Sequence, residues 1–155
     1  MISNASPLIF LSRINQISLL KKLFVTILIT TEVKDEIFVE SKPGTIDVSN
    51  AIKQGWVKIV EVKESIPLGI EGGESSSINL AIERKDKLII DDAIGIKVAK
   101  AFDIETIRTT TVIFMALKKK IISKKQAVSI INKLIDIGYY ISPRYYSAIL
   151  TKLSS

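Results

Sequence analysis

The sequence contains neither cysteine nor histidine among its 155 residues. The absence of cysteine excludes disulfide bonds and thiolate metal sites. The absence of histidine excludes imidazole ligands for zinc, serine–histidine triads and acid–base catalysis by an imidazole. A metal ion bound by these side chains must therefore be held by oxygen atoms, which favours Mg²⁺ or Mn²⁺. Proton transfer falls to Asp, Glu, Lys, Tyr or water.

Aromatic residues are also scarce, at 6% of the chain, whereas hydrophobic residues make up 47%. The core must therefore consist mainly of Ile, Leu and Val. This length and composition predict one globular domain, spanning residues 1–155, with a core of ordinary size.

The formal net charge is +6. A basic surface suits a polyanionic partner such as nucleic acid, but it is also typical of an ordinary lysine-rich surface, so charge alone leaves both interpretations open. No apolar run approaches the length of a membrane span, and the amino terminus lacks the pattern of a signal peptide. We expect a soluble, cytoplasmic protein that does not associate with a membrane.

Strand-like and helix-like segments alternate along the sequence. The strands are predicted at 1–3, 25–30, 56–62, 88–90 and 104–108, and the third is expected near a sheet edge. A helix predicted over 31–40 is expected to end at Lys42-Pro43-Gly44. This alternation predicts an α/β domain whose mostly parallel sheet of about five strands is covered by helices on both faces.

Polar side chains follow several of these strands. Ligands of open parallel sheets bind beyond the carboxyl ends of the strands. Four acids and two neutral oxygen donors are expected near that rim: Asn4, Glu36, Glu74, Asp91, Asp92 and Thr109. A cluster of carboxylates without His or Cys is what a hard divalent cation needs, and such a site can activate water for attack on phosphorus. We expect Asp92 to hold the metal most directly.

Each of these residues also has a plainer interpretation. Either Asp91 or Asp92 could cap the helix that follows, although a cap explains only one of the two acids. Glu74 at a helix start is favoured by the helix dipole. Glu36 could be an exposed helical charge. Asn4 and Thr109 could be turn or cap residues.

Five segments, in this order and spacing, carry a resemblance to a known family: "ISNASPLIFLSRI", "VKDEI", "GGESSSINLAIE", "LIIDDAIGIKVA" and "IRTTTVIFMALKKKIIS". Over nearly its whole length the chain resembles the PIN-domain (PilT amino-terminal) superfamily of metal-dependent ribonucleases. The similarity is greatest to a prokaryotic branch related to the toxin nucleases of toxin–antitoxin pairs. The resemblance implies a three-layer α/β/α sandwich with Mg²⁺ or Mn²⁺ on an acidic rim.

The resemblance also assigns roles to individual residues. Glu36, Glu74 and Asp92 match the second, third and fourth acids of the family, which implies that they are catalytic, and Asp91 lies beside the last of them. Thr109 matches a Ser or Thr often found near the first acid. The first acid, usually Asp, is replaced by Asn4, which can bind a metal through its carbonyl oxygen but brings no charge and cannot act as a base.

Three functions are therefore compared. The first is a Mg²⁺- or Mn²⁺-dependent ribonuclease, as a toxin with an antitoxin partner, in which Lys97 and Arg108 contact the RNA backbone. The abundance of Ile and Leu and the resemblance also indicate a homodimer. The second is a catalytically weakened PIN-like protein that binds RNA or a protein partner. The third is a phosphoacceptor receiver domain, which the position of the acidic pair on the fourth strand disfavours.

Overall fold

The computed structural model describes residues 1–39 and 43–154. Within these residues the chain forms five strands and nine helices. In chain order they are β1 (Ile2–Ser3), α1 (Ala5–Arg13), α2 (Ser18–Phe24), β2 (Ile27–Thr30), α3 (Thr31–Phe38), α4 (Thr45–Gln54), β3 (Val57–Val60), α5 (Gly72–Arg84), β4 (Leu88–Ile89), α6 (Ala93–Ala101), β5 (Thr106–Ile107), α7 (Thr109–Lys118), α8 (Lys124–Asp136) and α9 (Pro143–Ser154).

The five strands form one sheet in the order β3-β2-β1-β4-β5, and every neighbouring pair is parallel. β1 is the central strand. β3 lies at an edge, as the sequence predicted. Because all strands run the same way, their carboxyl ends meet at one edge of the sheet, which is called the rim below. The predicted α/β/α fold with a parallel sheet is confirmed.

Both faces of the sheet are buried. Leu88, Ile89 and Ile90 are consecutive, and all three have an exposed fraction of 0%. Leu88 and Ile90 belong to a cluster with residues of α5 and α6, whereas Ile89 belongs to the larger cluster on the other face. Successive side chains of a strand point to opposite faces, so a run without alternation requires helices on both sides.

The helix predicted over 31–40 ends at Phe38. Its last predicted residue, Glu40, and the Lys42 expected to terminate it lie outside the described residues. No helix of the described part combines the length and apolar character that crossing a bilayer requires.

Candidate active site

The rim brings together the loops that follow β1, β2, β4 and β5. Asn4 comes directly after the central strand β1, between the loops after β2 and β4. Glu36 and Glu74 lie on the β2 side, on α3 and α5. Asp91 and Asp92 lie on the other side, after β4. The two acidic pairs therefore flank the loop that carries Asn4.

Asn4 is buried, with an exposed fraction of 2%. Its backbone N–H donates to the Ile89 carbonyl at 2.9 Å, and Ser3 Oγ donates to its backbone carbonyl at 2.9 Å. The residue occupies the N-cap position of α1, yet its side chain forms no cap hydrogen bond. Asn4 Oδ1 has no hydrogen-bond partner within the described residues. An orphaned buried oxygen costs about 1–3 kcal/mol, so a ligand that engages it would recover that energy.

Glu36 is half-buried on α3, and its position is fixed by the start of α5. The backbone N–H of Gly73 donates to Glu36 Oε1 at 2.7 Å. A Cβ atom added to Gly73 would lie 2.8 Å from both carboxylate oxygens of Glu36, closer than such contacts allow. Gly73 therefore provides both the donor and the space for this carboxylate.

Glu74 follows Gly73 in the first turn of α5, so Glu36 and Glu74 share one helix N-terminus. The partial positive charge of that terminus favours carboxylates. α5 is joined to the end of β2 by a hydrogen bond of 2.6 Å between the hydroxyl oxygens of Ser76 and Thr30. Thr30 also accepts from the backbone N–H of Val33 at 3.2 Å and thereby caps α3. These links hold the helices that carry the two acids against the rim.

Asp91 accepts three hydrogen bonds. Its Oδ1 accepts hydrogen bonds from the Thr109 backbone N–H at 3.0 Å and from the Tyr139 hydroxyl at 2.6 Å. Its Oδ2 accepts a hydrogen bond from the Thr109 hydroxyl at 2.6 Å. Burial of Tyr139, together with the charge of Asp91 and the hydrogen bond to it, raises the pKa of the Tyr139 phenol above 10.0. Asp91 thus joins the end of β4 to the start of α7 and to the segment after α8.

Asp92 is exposed and occupies the N-cap of α6. Its Oδ2 accepts the backbone N–H of Gly95 at 2.7 Å. The cap interpretation that the sequence left open therefore applies to Asp92, and it engages only one of the two carboxylate oxygens. No hydrogen bond from the described residues reaches Asp92 Oδ1.

Within residues 1–39 and 43–154, no three Asp or Glu side chains lie close enough together to hold one metal ion. In the same residues, none of Glu36, Glu74, Asp91 and Asp92 forms an ion pair with Lys or Arg. Mg²⁺ is usually bound through one or two carboxylates and keeps several waters. The orphaned Asn4 oxygen and the acids of the rim that form no ion pair therefore fit a hydrated hard cation in donor type and charge.

The two cations predicted to contact RNA are both exposed. Lys97 lies on α6, which Asp92 caps. Arg108 occupies the N-cap of α7, and its backbone N–H donates to Thr111 Oγ1 at 3.4 Å. Its guanidinium carries only donors, so it cannot cap the backbone N–H groups of this helix. Arg108 also adjoins Thr109, which contacts Asp91.

Two residues of the site were not predicted from the sequence, namely Gly73 and Tyr139. The Gly72-Gly73 pair immediately before Glu74 was a usable signal, because paired glycines at a helix start indicate a close approach of another group to the backbone. Nothing local marks Tyr139, which lies 48 residues after the carboxylate it contacts.

The chain is similar to proteins of one family. A family model described as a PIN domain matches residues 1–155. Among solved structures, a PilT N-terminus domain protein from the hyperthermophilic archaeon Sulfolobus solfataricus P2 is 22% identical with a TM-score of 0.45. That match covers 76% of this chain and 94% of the archaeal chain. No curated protein matches the chain.

Proposed function

Because the chain belongs to the PIN-domain family, which is generally a nuclease fold, we propose that it is a Mg²⁺- or Mn²⁺-dependent ribonuclease. PIN domains generally use divalent metals. The observation that carries the proposal is the buried, unpartnered Asn4 Oδ1 between two pairs of acids that no Lys or Arg of the described residues neutralises. A divalent cation supplies what that arrangement lacks.

The proposed ligands are the Asn4 carbonyl oxygen and the carboxylates of Glu36, Glu74 and Asp92. At most two of these acids would bind any one ion directly, because no three acids of the described residues lie close enough together to hold the same ion. When bound, such an ion supplies a water of lowered pKa for in-line attack on phosphorus and stabilises the leaving oxygen. The chain's own contribution is to hold these ligands in place. Gly73 fixes the Glu36 carboxylate at the start of α5.

Asp91 has a positioning role in this proposal, although the sequence placed it among the ligands. Both of its oxygens are engaged by Thr109 and Tyr139, so it anchors the end of β4 and thereby the start of the loop that carries Asp92. A carboxylate that accepts three hydrogen bonds has little capacity left for a cation. Thr109 then supports the site through Asp91.

RNA is the proposed substrate because the family is generally a nuclease fold and the chain carries a net charge of +6. Exposed cations near the rim, of which Lys97 and Arg108 are the proposed examples, would position the backbone by phosphate contacts. Binding of RNA should then weaken steeply with salt, because neutralised phosphates release counterions. A flat salt response would leave these cations as ordinary surface.

The proposal is tested by cleavage of single-stranded RNA with Mn²⁺ and with EDTA. The wild type should cleave only with Mn²⁺, and Asp92→Asn should lose most of that activity. Asp136→Asn, which removes an exposed acid at the end of α8, is the matched control and should cleave like the wild type. Cleavage that persists in EDTA would exclude a metal-dependent mechanism.

A second function is favoured by Asn4 itself. An amide supplies no charge, so the site has one acid fewer than the family pattern. The chain would then be a PIN domain that binds RNA or a protein without cutting. Metal binding without cleavage of any RNA is the result that would select this function.

A toxin role and a homodimer complete the proposal. Induced expression in a bacterial host should arrest growth, and Asp92→Asn should relieve the arrest. Co-expression of an antitoxin from an adjacent gene should also relieve it. Val25, Ile46 and Ile94 are large apolar side chains with exposed fractions of 73%, 75% and 63%, and a second copy that covered any of them would remove apolar surface from water. Light scattering that shows a monomer at high concentration would reject the dimer.

A further inference from the structure

A surface pocket of about 430 Å³ adjoins the rim on the side of Asp91. Its lining includes Arg108, Tyr139, Tyr140, Ile141, Ser142 and Tyr145. Tyr139 is shared with the rim, since its hydroxyl donates to Asp91. The pocket therefore lies directly beside the proposed cleavage site.

The chain concentrates its tyrosines here. All four lie between residues 139 and 146, although aromatic residues make up only 6% of the sequence. Three of the four line the pocket. Tyr140 and Tyr145 have exposed fractions of 81% and 45%, so their rings are available to a ligand and add little to the core. An exposed aromatic cluster in an aromatic-poor chain indicates a binding surface.

The charge of the pocket has one sign. Arg108 is exposed at its edge, and no Asp or Glu is among its lining residues. Asp91 lies behind Tyr139 with its oxygens engaged by Thr109 and Tyr139. Because Arg108 forms no ion pair with any acid of the described residues, its guanidinium can bind an anion at this edge.

We propose that this pocket binds one unpaired base of an RNA strand, stacked on Tyr140 and Tyr145, while Arg108 binds the adjoining phosphate. Bases stack on aromatic rings with little regard to sequence, and recognition of single-stranded RNA depends on such platforms combined with a cation for the backbone. This inference rests on the proposed function, because it takes RNA as the substrate. It adds which residues of this chain hold a base beside the cleavage site.

The position of the pocket also gives the strand a path. Arg108 and Thr109 are adjacent in the chain, and Thr109 contacts Asp91, which adjoins Asp92. A base stacked on Tyr140 and Tyr145 therefore directs the neighbouring phosphodiester toward the acids that follow β4. A duplex cannot enter in this way, because its bases are stacked on one another and paired.

The test measures binding of a fluorescein-labelled single-stranded RNA by anisotropy in EDTA, so that cleavage does not contribute. Tyr140→Ala and Tyr145→Ala should each weaken binding by about tenfold, since removing one stacking partner typically has an effect of that order. Tyr140→Phe keeps the ring and should bind like the wild type. Phe102→Ala, which removes another exposed aromatic from a separate pocket, is the positional control.

Arg108→Ala should weaken binding and reduce the slope of log Kd against log salt by about one. Lys85→Ala, in the same separate pocket as Phe102, should leave the slope close to that of the wild type. The affinity for duplex RNA of the same sequence should be the same in the tyrosine variants as in the wild type. A free nucleoside monophosphate should compete at the pocket only at far higher concentration than the strand, because it supplies a single base and phosphate.

Equal binding by Tyr140→Ala, Tyr145→Ala and Phe102→Ala would overturn the proposal, as would the absence of single-stranded RNA binding in the wild type at low salt. The result is separable from that for the nuclease. Normal Mn²⁺-dependent cleavage, together with unchanged RNA binding by the tyrosine variants, would reject the base-binding pocket and support the ribonuclease. If the wild type cleaves no RNA but the tyrosine variants lose RNA binding, the pocket is supported and the nuclease is rejected.

Discussion

The hydroxyl of Tyr139 donates a hydrogen bond of 2.6 Å to Asp91 Oδ1, across 48 residues of sequence. The bond joins the segment between α8 and α9 to the end of β4, next to the candidate site. Tyr139 is buried, and its ring meets that of Phe10 edge to face at a centroid distance of 5.2 Å. The stability of the fold and the geometry of the site therefore depend on the same contact.

Tyr139→Phe should lower the free energy of unfolding by about 1–3 kcal/mol, because it removes a donor from a partly buried carboxylate while keeping the ring. Urea denaturation measures this change. Tyr146→Phe is the control, since the Tyr146 hydroxyl donates to Asn132 at an exposed site and its loss should have a smaller effect. Equal effects of the two substitutions would deny Asp91 its anchoring role.

The same variant should change the alkaline pH dependence of stability. The pKa of the Tyr139 phenol is raised by burial and then by Asp91, so the folded state retains the proton after the unfolded state has lost it. The contribution is complete below the unfolded pKa of about 10 and is lost as the pH rises from there toward the folded pKa. Wild-type stability should therefore fall more steeply than that of Tyr139→Phe above about pH 10. Parallel slopes would contradict this linkage.

Asp92 can be tested with two substitutions that separate charge from helix capping. Asn caps helices about as well as Asp, so Asp92→Asn should keep the stability within about 0.5 kcal/mol while weakening Mn²⁺ binding. Asp92→Ala should weaken Mn²⁺ binding and also cost about 1 kcal/mol through the lost hydrogen bond to Gly95. Calorimetry measures the affinity for Mn²⁺, and urea denaturation measures the free energy of unfolding. Unchanged Mn²⁺ affinity in both variants would remove Asp92 from the site.

Asn4→Asp should restore the missing acid and should depend on metal for its stability. In EDTA the new carboxylate is buried without a partner, so the variant should be less stable than the wild type by about 1–3 kcal/mol. Mn²⁺ should return that stability by binding the folded state, and cleavage of RNA should exceed that of the wild type. Thermal melts with and without Mn²⁺ and a cleavage assay measure both effects.

The rival outcomes for Asn4→Asp differ in a useful way. Strong wild-type cleavage with no gain in the variant means that the amide is already an adequate ligand. An absence of Mn²⁺ binding in both proteins would reject the metal site, and Asp92 would then be a helix cap alone.

Gly73→Ala should separate stability from activity. The added Cβ would meet the Glu36 carboxylate at 2.8 Å, and that carboxylate is the end of a flexible side chain that can move away. Because Ala favours a helix over Gly by about 1 kcal/mol, stability should be unchanged or higher. Cleavage should fall, since Glu36 leaves its position beside Glu74. Thermal melts and cleavage assays, with Glu36→Gln for comparison, test this; an active variant would show that the position of Glu36 is unimportant.

The fold was predictable because its signals are local. The five strand segments are short apolar runs between helical patterns, and burial of Leu88, Ile89 and Ile90 on both faces explains why they do not alternate. The order in which parallel strands meet then places the polar residues after β1, β4 and β5 at one rim. The sequence correctly predicted the sheet from these patterns alone.

The sequence could not predict that Asp91 anchors the end of β4 while Asp92 caps α6, for a physical reason. Neighbouring residues at a strand end point in different directions, and which direction meets a partner depends on register. The cap made by Asp92 is a local contact with Gly95, and it stayed open as an alternative. The partners of Asp91 come from Thr109 and Tyr139, which only the tertiary structure brings near.

The spacing of those partners sets an order of events during synthesis. Asp91 leaves the ribosome 18 residues before Thr109 and 48 residues before Tyr139. At typical elongation rates of about 5–20 residues per second, its carboxylate waits several seconds for its last donor. Until then, the end of β4 lacks its anchor to the segment after α8. The nascent chain therefore acquires the intact rim only after Tyr139 has emerged, 48 residues after Asp91.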